Sequence, residues 1–453
     1  MSFKVLLVYP NLQLVNLIPT NIGLLTSCLK SNGFEVKVFD TTFYKTKEKA
    51  EDEIRVEYGH YKSITKVQYK PNDVFEDFKK LYNEYKPDVI GVSVVDSTYE
   101  LGLKLVSCID KKCHVIFGGV YATFRPEIID SPYIDSVCIG EGEEALVELC
   151  TKLKDKHDIS NIPNLHVKIN GTIYKNTIRP IIDLNKLPYE DFSEFEPARF
   201  LRAMQGKDRK MLPVMIDRGC PFNCIFCAEP SLRKLYNKFR VKSIDNIKQY
   251  LEYMVNTYNP EYLYFNSETF FARPEEHINE FADYYINNIK LPFCCMTRIE
   301  TVTDSRIKRL KDMGCDRLSF GIEHGNESFR RNILKKTFTN DNVYDAINIL
   351  NKYLIPCTFF NMVGFPDETK ELSNDTIILN KWINNNYMGN KSFSISIFQP
   401  YYSTVLRQYC IDKGYMRNDQ QAAGLISDCI LNMPNFHRDD VIDIAKNFIT
   451  LIS

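Results

Sequence analysis

The sequence has no surplus of charge: 57 Lys and Arg against 58 Asp and Glu leave a formal net charge of -1 over 453 residues. That balance gives no general support for binding nucleic acid or a membrane surface. No apolar run approaches the ~18 residues needed to span a bilayer. The N-terminal MSFKVLLVYPNLQ has only a short one before a proline, and no small-residue cleavage site follows. A cytoplasmic protein is expected, with no membrane and no nucleic acid among its partners. No internal repeat links the two halves. Cysteine is not scarce, at 14 residues, but cytosolic thiols stay reduced. Most should be small buried hydrophobes rather than a disulfide framework. The length suggests two or three domains of about 150 residues each, and 44% apolar with 25% charged residues is a globular composition.

Along the first 150 residues, short apolar runs alternate with helical patterns. KVLLVYP (4–10), FEVKVFD (34–40), VIGVSVV (89–95), HVIFGG (114–119) and IDSVCIG (134–140) read as strands, with a polar stretch over 45–72. Continuous apolar strands separated by helices predict a doubly wound parallel sheet covered on both faces. Ligands of such sheets sit at the carboxyl ends of the strands, where this chain has its Gly-rich turns. The periodicity is lost over 151–205, where a small hairpin turning at Asn170–Gly171 precedes an extended linker. It resumes with LPVMID (212–217), YLYFN (262–266), FCCMT (293–297), DRLSFG (316–321), PCTFFNMVG (356–364) and FSISIFQ (393–399). Amphipathic helices lie between; in one, Ile244, Ile247, Leu251 and Met254 share a face behind Ser243 as N-cap. These units number fewer than the eight of a closed barrel, so an incomplete (β/α)6 barrel is expected. The expected domains are 1–155, a hairpin and linker over 156–205, the barrel over 206–405 and a helical C-terminal segment over 406–453.

One cysteine group stands apart: Cys220, Cys224 and Cys227 in RGCPFNCIFCAEP. Thiolates suit zinc or iron–sulfur clusters. A structural zinc site needs a fourth ligand, yet no histidine and no fourth cysteine occurs between 205 and 240. Three thiolates leave one metal position open, which is a catalytic arrangement. The loop also follows a strand, at the barrel mouth where substrate sites are expected.

This spacing resembles the cluster motif of the radical S-adenosylmethionine (SAM) superfamily. There three cysteines hold a 4Fe-4S cluster, and the amino and carboxylate groups of SAM chelate its unique iron. The resemblance extends further along the chain. Phe226 matches the aromatic residue near the adenine. FNSETF (265–270) is similar to the segment that binds the SAM amino group, which nominates Ser267 and Glu268; the alternative is a plain strand-end turn. In RIETVTDSRIKRLKDMGCDRLSFGIEHG, the resemblance places Arg298 to meet a carboxylate and Glu323 to accept hydrogen bonds from a ribose or ammonium. Either could be a structural ion pair instead. Gly364 in GFPDET matches the turn under the adenine. PYYST (400–404) departs from the proline–glycine–threonine turn of many relatives.

In the N-terminal region, GEGEEA (140–145) fits a dinucleotide fingerprint on paper, but it follows the last strand, and its glutamates would repel a pyrophosphate. With GGVYATFRPE (118–127) and VSVVDST (92–98), it resembles the cobalamin-binding domain found upstream of many radical SAM barrels. That resemblance implies a slot lined by Gly118, Gly119, Gly140, Glu141 and Gly142, with Ser93 and Ser97 on the nucleotide tail, Thr123 near the corrin, and Tyr121 where several relatives carry histidine. Cobalamin mutases place an axial histidine in the loop after the first strand. Here that loop (10–20) has none, and His157 lies beyond the domain's last strand. Cobalamin is therefore expected base-off, without a histidine ligand.

Together these resemblances imply a cobalamin-dependent radical SAM methyltransferase. It would move a methyl group from SAM, via methylcobalamin, to an unactivated carbon or phosphorus of a small-molecule or peptide substrate. A flavodoxin- or ferredoxin-type donor would supply electrons. The alternative is a relative that uses the same cofactors for ring closure, contraction or another rearrangement. A cobalamin sensor would leave the three cysteines without use. A tRNA methylthiotransferase would need a further cysteine set, which Cys28, Cys108, Cys113, Cys138 and Cys150 are not spaced to supply.

Overall fold

The computed structural model describes residues 2–236 and 238–453. The chain divides into two compact units. The first runs to Ala50 and resumes over Lys66–Arg199; the second takes Glu51–Thr65 together with Phe200–Ser453. Among the described residues, no helix is long and apolar enough to cross a membrane.

The first unit is a seven-stranded sheet: β1 (Lys4–Tyr9), β2 (Glu35–Asp40), β3 (Val89–Ser93), β4 (His114–Gly118), β5 (Ser136–Cys138), β6 (Leu165–Ile169) and β7 (Thr172–Lys175), in the order β2-β1-β3-β4-β5-β6-β7. Pairing is parallel as far as β5, because those strands are joined through helices. β1 is apolar along its centre, with Val5, Leu6, Leu7 and Val8 all buried, as a strand covered on both faces requires, whereas the edge strand β2 alternates, with Glu35 and Lys37 exposed. The hairpin turning at Asn170–Gly171 extends this sheet with the antiparallel pair β6 and β7. Strand order reverses between β1 and β3, so the carboxyl ends there form the topological switch point at which such sheets bind ligands.

The second unit contains β8 (Leu201–Met204), β9 (Lys207–Val214), the small pair β10 (Asp217–Arg218) and β11 (Arg240–Val241), then β12 (Tyr262–Phe265), β13 (Phe293–Thr297), β14 (Cys315–Glu323), β15 (Cys357–Val363) and β16 (Lys391–Ile397). Its main sheet is ordered β16-β15-β14-β13-β12-β9-β8. All pairs from β9 to β16 are parallel, and β8 adds an antiparallel edge. β16 and β8 are edges, so the barrel is incomplete. The helix Ile244–Tyr258 starts at Ser243, whose side chain accepts from Asn246 N, and it buries Ile244, Ile247, Leu251 and Met254.

An uncovered edge strand invites unwanted pairing. The β16 edge is covered by the helix Arg438–Ile452 and by a helix drawn from the polar stretch near the N-terminus, Glu51–Glu57. Arg55 donates to Ser394 Oγ (2.7 Å), Ile395 O (3.3 Å) and Ser396 Oγ (2.9 Å). Glu51 accepts from Ile426 N at 2.9 Å and Ser427 Oγ at 2.8 Å. The C-terminal segment is helical over Val405–Asp412 and Arg438–Ile452 and irregular between them.

Candidate functional site

In the first unit every nominated residue lies on the carboxyl ends of β3, β4 and β5 or the turns that follow. Ser93 ends β3, where its hydroxyl accepts from Asn21 Nδ2 at 3.0 Å, and Ser97 sits half-buried in the short turn Asp96–Thr98. After β4 the backbone swings into the left-handed region at Gly119 (φ 94°), and a Cβ there would come within 2.5 Å of Val94 O. Only glycine fits, because the turn is pressed onto the β3 loop: Val94 N donates to Gly118 O at 2.9 Å. Thr123 stitches two turns together, donating to Gly119 O and accepting from Gly140 N, both at 2.9 Å. Gly140, Glu141 and Gly142 are half-exposed, and Glu141 O accepts from Asn164 Nδ2 at 2.8 Å. Tyr121 is buried and stacks on Tyr99 with ring centroids 4.6 Å apart. The structure thus places Ser93, Ser97, Gly118, Gly119 and Gly140–Gly142 along one rim, and turns Tyr121 and the Thr123 hydroxyl inward.

In the second unit the cysteine loop leaves β10. Arg233 donates to Cys220 O (2.7 Å) and Phe222 O (3.2 Å), Ile225 N to Leu334 O (3.2 Å), and Leu406 N to Ile225 O (3.4 Å). Cys224 is buried, with Cys220 and Cys227 half-buried. Each of the latter two feels the charge of Cys224. Burial pushes the Cys220 thiol up, and the Cys227 thiol up to about 12. Cys220 Sγ lies 3.5 Å from Thr269 Oγ1, and Cys224 Sγ accepts from Arg298 Nη1 at 2.9 Å. Among the described residues, no three Cys, His, Asp or Glu side chains form a group arranged to hold a metal ion. The donor set still fits an iron–sulfur cluster: three soft thiols lie within eight residues of one loop anchored through its backbone by Arg233 and Leu334. Phe226 packs edge-on to Phe365 (5.8 Å).

Around this loop lie charged pairs that sequence reading did not find. Ser267 is buried and donates its hydroxyl to Asp217 Oδ2 at 2.8 Å, and Asp217 is also bonded by Arg273. The Asp217 and Arg273 side chains are essentially inaccessible, at 1% and 0%. Ser267 is therefore engaged within the protein, while its neighbour Glu268 is exposed. Its carboxyl is nonetheless held above the usual range, first by burial and then by Asp217. Glu229 is pushed up to about 7, by burial and then by Glu268.

Arg298 and Glu323 both stand in ion pairs of the kind left open by the sequence. Arg298 Nε donates to Glu300 Oε1 at 2.7 Å, and Lys336 Nζ to Glu323 Oε1 at 2.8 Å. Gly364 sits at φ 84°, a left-handed conformation that strains any side chain, and a Cβ there would also lie 2.8 Å from Val441 Cγ1 of the C-terminal helix. The turn it begins is held by Glu368, whose Oε2 accepts from Gly364 N (2.7 Å) and Phe365 N (2.9 Å). His324 Nδ1 accepts from Asn326 N at 3.0 Å. The proton of the neutral ring is therefore on Nε2, which donates to Glu368 Oε1 at 3.2 Å. The available signals were short-range: Glu300 two residues after Arg298, Glu368 four after Gly364, and Asp217 three before Cys220.

Two family models match different stretches of the chain. The radical SAM superfamily model matches residues 214–376, and the B12-binding domain model matches residues 16–150. An uncharacterized methyltransferase of Pyrococcus horikoshii is 26% identical over 382 residues, covering 82% of this chain and 80% of the relative. The anaerobic magnesium-protoporphyrin IX monomethyl ester cyclase of Rubrivivax gelatinosus is 23% identical over 337 residues, 70% of this chain and 58% of the cyclase. Among solved structures, the radical SAM methyltransferase TsrM of Kitasatospora setae, with tryptophan and a SAM analogue bound, shares the fold. Its TM-score is 0.68 at 16% identity, covering 94% of this chain and 80% of TsrM. With both family models matched in the order the two sheets take along the sequence, the chain carries a B12-binding domain followed by a radical SAM domain.

Proposed function

We propose that this cobalamin-dependent radical SAM enzyme is a methyltransferase acting on an unactivated carbon, or phosphorus, of a small-molecule or peptide substrate. The observation that carries the reading is the Pyrococcus horikoshii relative named as a methyltransferase, matched over four-fifths of both chains. The cyclase match favours the second reading, a non-methylating rearrangement, but it spans only 58% of that enzyme. When bound, SAM and the cluster supply a methyl group and radical chemistry, cobalamin relays the methyl, and a flavodoxin- or ferredoxin-type donor supplies electrons.

The chain's own residues have distinct tasks in this reading. Cys220, Cys224 and Cys227 hold the cluster. Glu268 receives the SAM amino group, for which an exposed carboxylate is suited. Glu323, steadied by Lys336, accepts from the ribose. Phe226 and the Gly364–Phe365 backbone, braced by Glu368 and His324, border the adenine. In the first unit Ser93, Ser97 and the rim of Gly118, Gly119 and Gly140–Gly142 line the cobalamin slot, with Thr123 fixing two of its turns. Base-off binding is supported by the composition of the loop after β1, which holds no histidine.

The test is the ratio of by-products. A methyltransferase of this type gives one 5′-deoxyadenosine and one S-adenosylhomocysteine per methylated product, after abortive cleavage is subtracted. Deuterium at the reacting carbon should appear in 5′-deoxyadenosine. Product formed with only one of the two by-products rejects the mechanism.

A further inference from the structure

The resemblance places Arg298 opposite a carboxylate of SAM, but in the structure it is directed elsewhere. Its carboxylate partner is the chain's own Glu300, at 2.7 Å from Nε. Its Nη1 donates to Cys224 Sγ at 2.9 Å. Its guanidinium lies 4.0 Å from the ring centroid of Phe222, also on the cysteine loop. Arg298 is thus clamped at the end of β13 and faces the loop with two of its contacts, in a setting where it is only 6% exposed.

We propose that Arg298 is a redox-tuning and positioning residue of the cluster, bonding a ligand sulfur, and is not the anchor of the SAM carboxylate. The proposal rests on the assignment of Cys220, Cys224 and Cys227 as cluster ligands. A guanidinium keeps its charge at every accessible pH, so the hydrogen bond to sulfur is permanently charge-assisted. Reduction adds one electron to the cluster, and a fixed positive donor at a ligand sulfur stabilises the more negative state more. Hydrogen bonds to sulfur and local charge are established levers on cluster potential. Burial strengthens the effect, because little water screens the contact. Glu300 opposes part of the charge and holds the fork in place, so the planar side chain meets sulfur, carboxylate and aromatic ring together. Lysine offers a point charge and cannot reproduce that set.

The test uses the full chain, reconstituted anaerobically and kept free of SAM. The fraction of reduced cluster is read by electron paramagnetic resonance against applied potential in the wild type, R298K and R298Q. At a fixed potential, R298Q should show a reduced-to-oxidised ratio about tenfold lower, equivalent to ~59 mV for a one-electron couple. R298K should fall between R298Q and wild type. SAM affinity of the oxidised protein, by equilibrium dialysis, should change by less than about threefold. An unchanged ratio in both variants overturns the proposal, and so does a large loss of SAM affinity at unchanged ratio. If R298Q assembles no cluster, R298K decides alone, and a wild-type ratio there overturns it. A wild-type chain that binds no iron removes the ligand assignment and the proposal with it. Failure of methyl transfer at the product level bears only on the reaction.

Discussion

The carboxyl ends of the two parallel sheets are built from different materials. In the first unit the rim is backbone: Gly119 pressed against Val94, and Thr123 tying Gly119 to Gly140. In the second unit the corresponding region is dense with charge, in Asp217 with Arg273, Arg298 with Glu300, and Glu323 with Lys336. Backbone turns that exclude side chains suit a large ligand recognised by shape. Paired charges held at strand ends suit a ligand oriented by its polar groups.

Breaking one region should leave the other standing, and the largest effect is expected at the cysteines. Replacing Cys220, Cys224 and Cys227 by alanine should abolish binding of about four irons while cobalamin still binds; colorimetric iron and the cobalamin spectrum read the two separately. A triple variant that retains the cluster sinks the ligand assignment. Next comes Arg273→Met, which strands the inaccessible Asp217 carboxylate in the second unit and should cost about 3–5 kcal/mol by denaturant unfolding. Adding Asp217→Asn should recover most of that loss. If the single variant is as stable as wild type, the pair is not the brace described.

Gly119→Ala tests the other rim. A side chain at φ 94° against Val94 O should cost about 3 kcal/mol and weaken cobalamin binding with iron content unchanged. A smaller, pH-dependent effect concerns His60 in the second unit, which bonds Ala445 O at 3.0 Å. Burial, and then the charge of Arg55, lowers its pKa from 6.5 to about 4. Between those values the unfolded chain binds more protons, so stability rises with pH. The contribution is whole above 6.5 and is lost as pH falls toward about 4. His60→Gln should flatten that slope in denaturation midpoints, and an unchanged slope refutes the assignment. The smallest expected effect is none: His157→Ala should leave the cobalamin spectrum as it is, and nitrogen splitting from histidine in the cob(II)alamin resonance would contradict base-off binding.

Several parts of this molecule were legible because they depend on neighbours in sequence. FCCMT forms β13 over the residues expected, since a short apolar run between helices has few other uses. Asn170–Gly171 turns the hairpin that was read from it, and Ser243 caps the helix it precedes. The helix Glu51–Glu57 was hidden in a polar stretch. Its role is to present Arg55 to β16, more than 300 residues away, which no local pattern announces. Gly364 was matched from the sequence only to a turn under the adenine, whereas the structure gives it a φ of 84° and sets its α-carbon against Val441.

By itself the sequence determined the order of the two α/β regions, the incompleteness of the barrel and the three-thiol loop, because strand alternation, helix periodicity and ligand spacing are all encoded within a few residues. Only the tertiary structure decided which groups are engaged: that Ser267 serves Asp217, that Tyr121 lies in the core, and that Arg298 meets Glu300 and a cysteine sulfur. Those outcomes turn on which strand ends converge. The stabilisation of a buried charge or hydroxyl depends on a partner brought from elsewhere in the chain, and residue type and spacing carry no record of that partner.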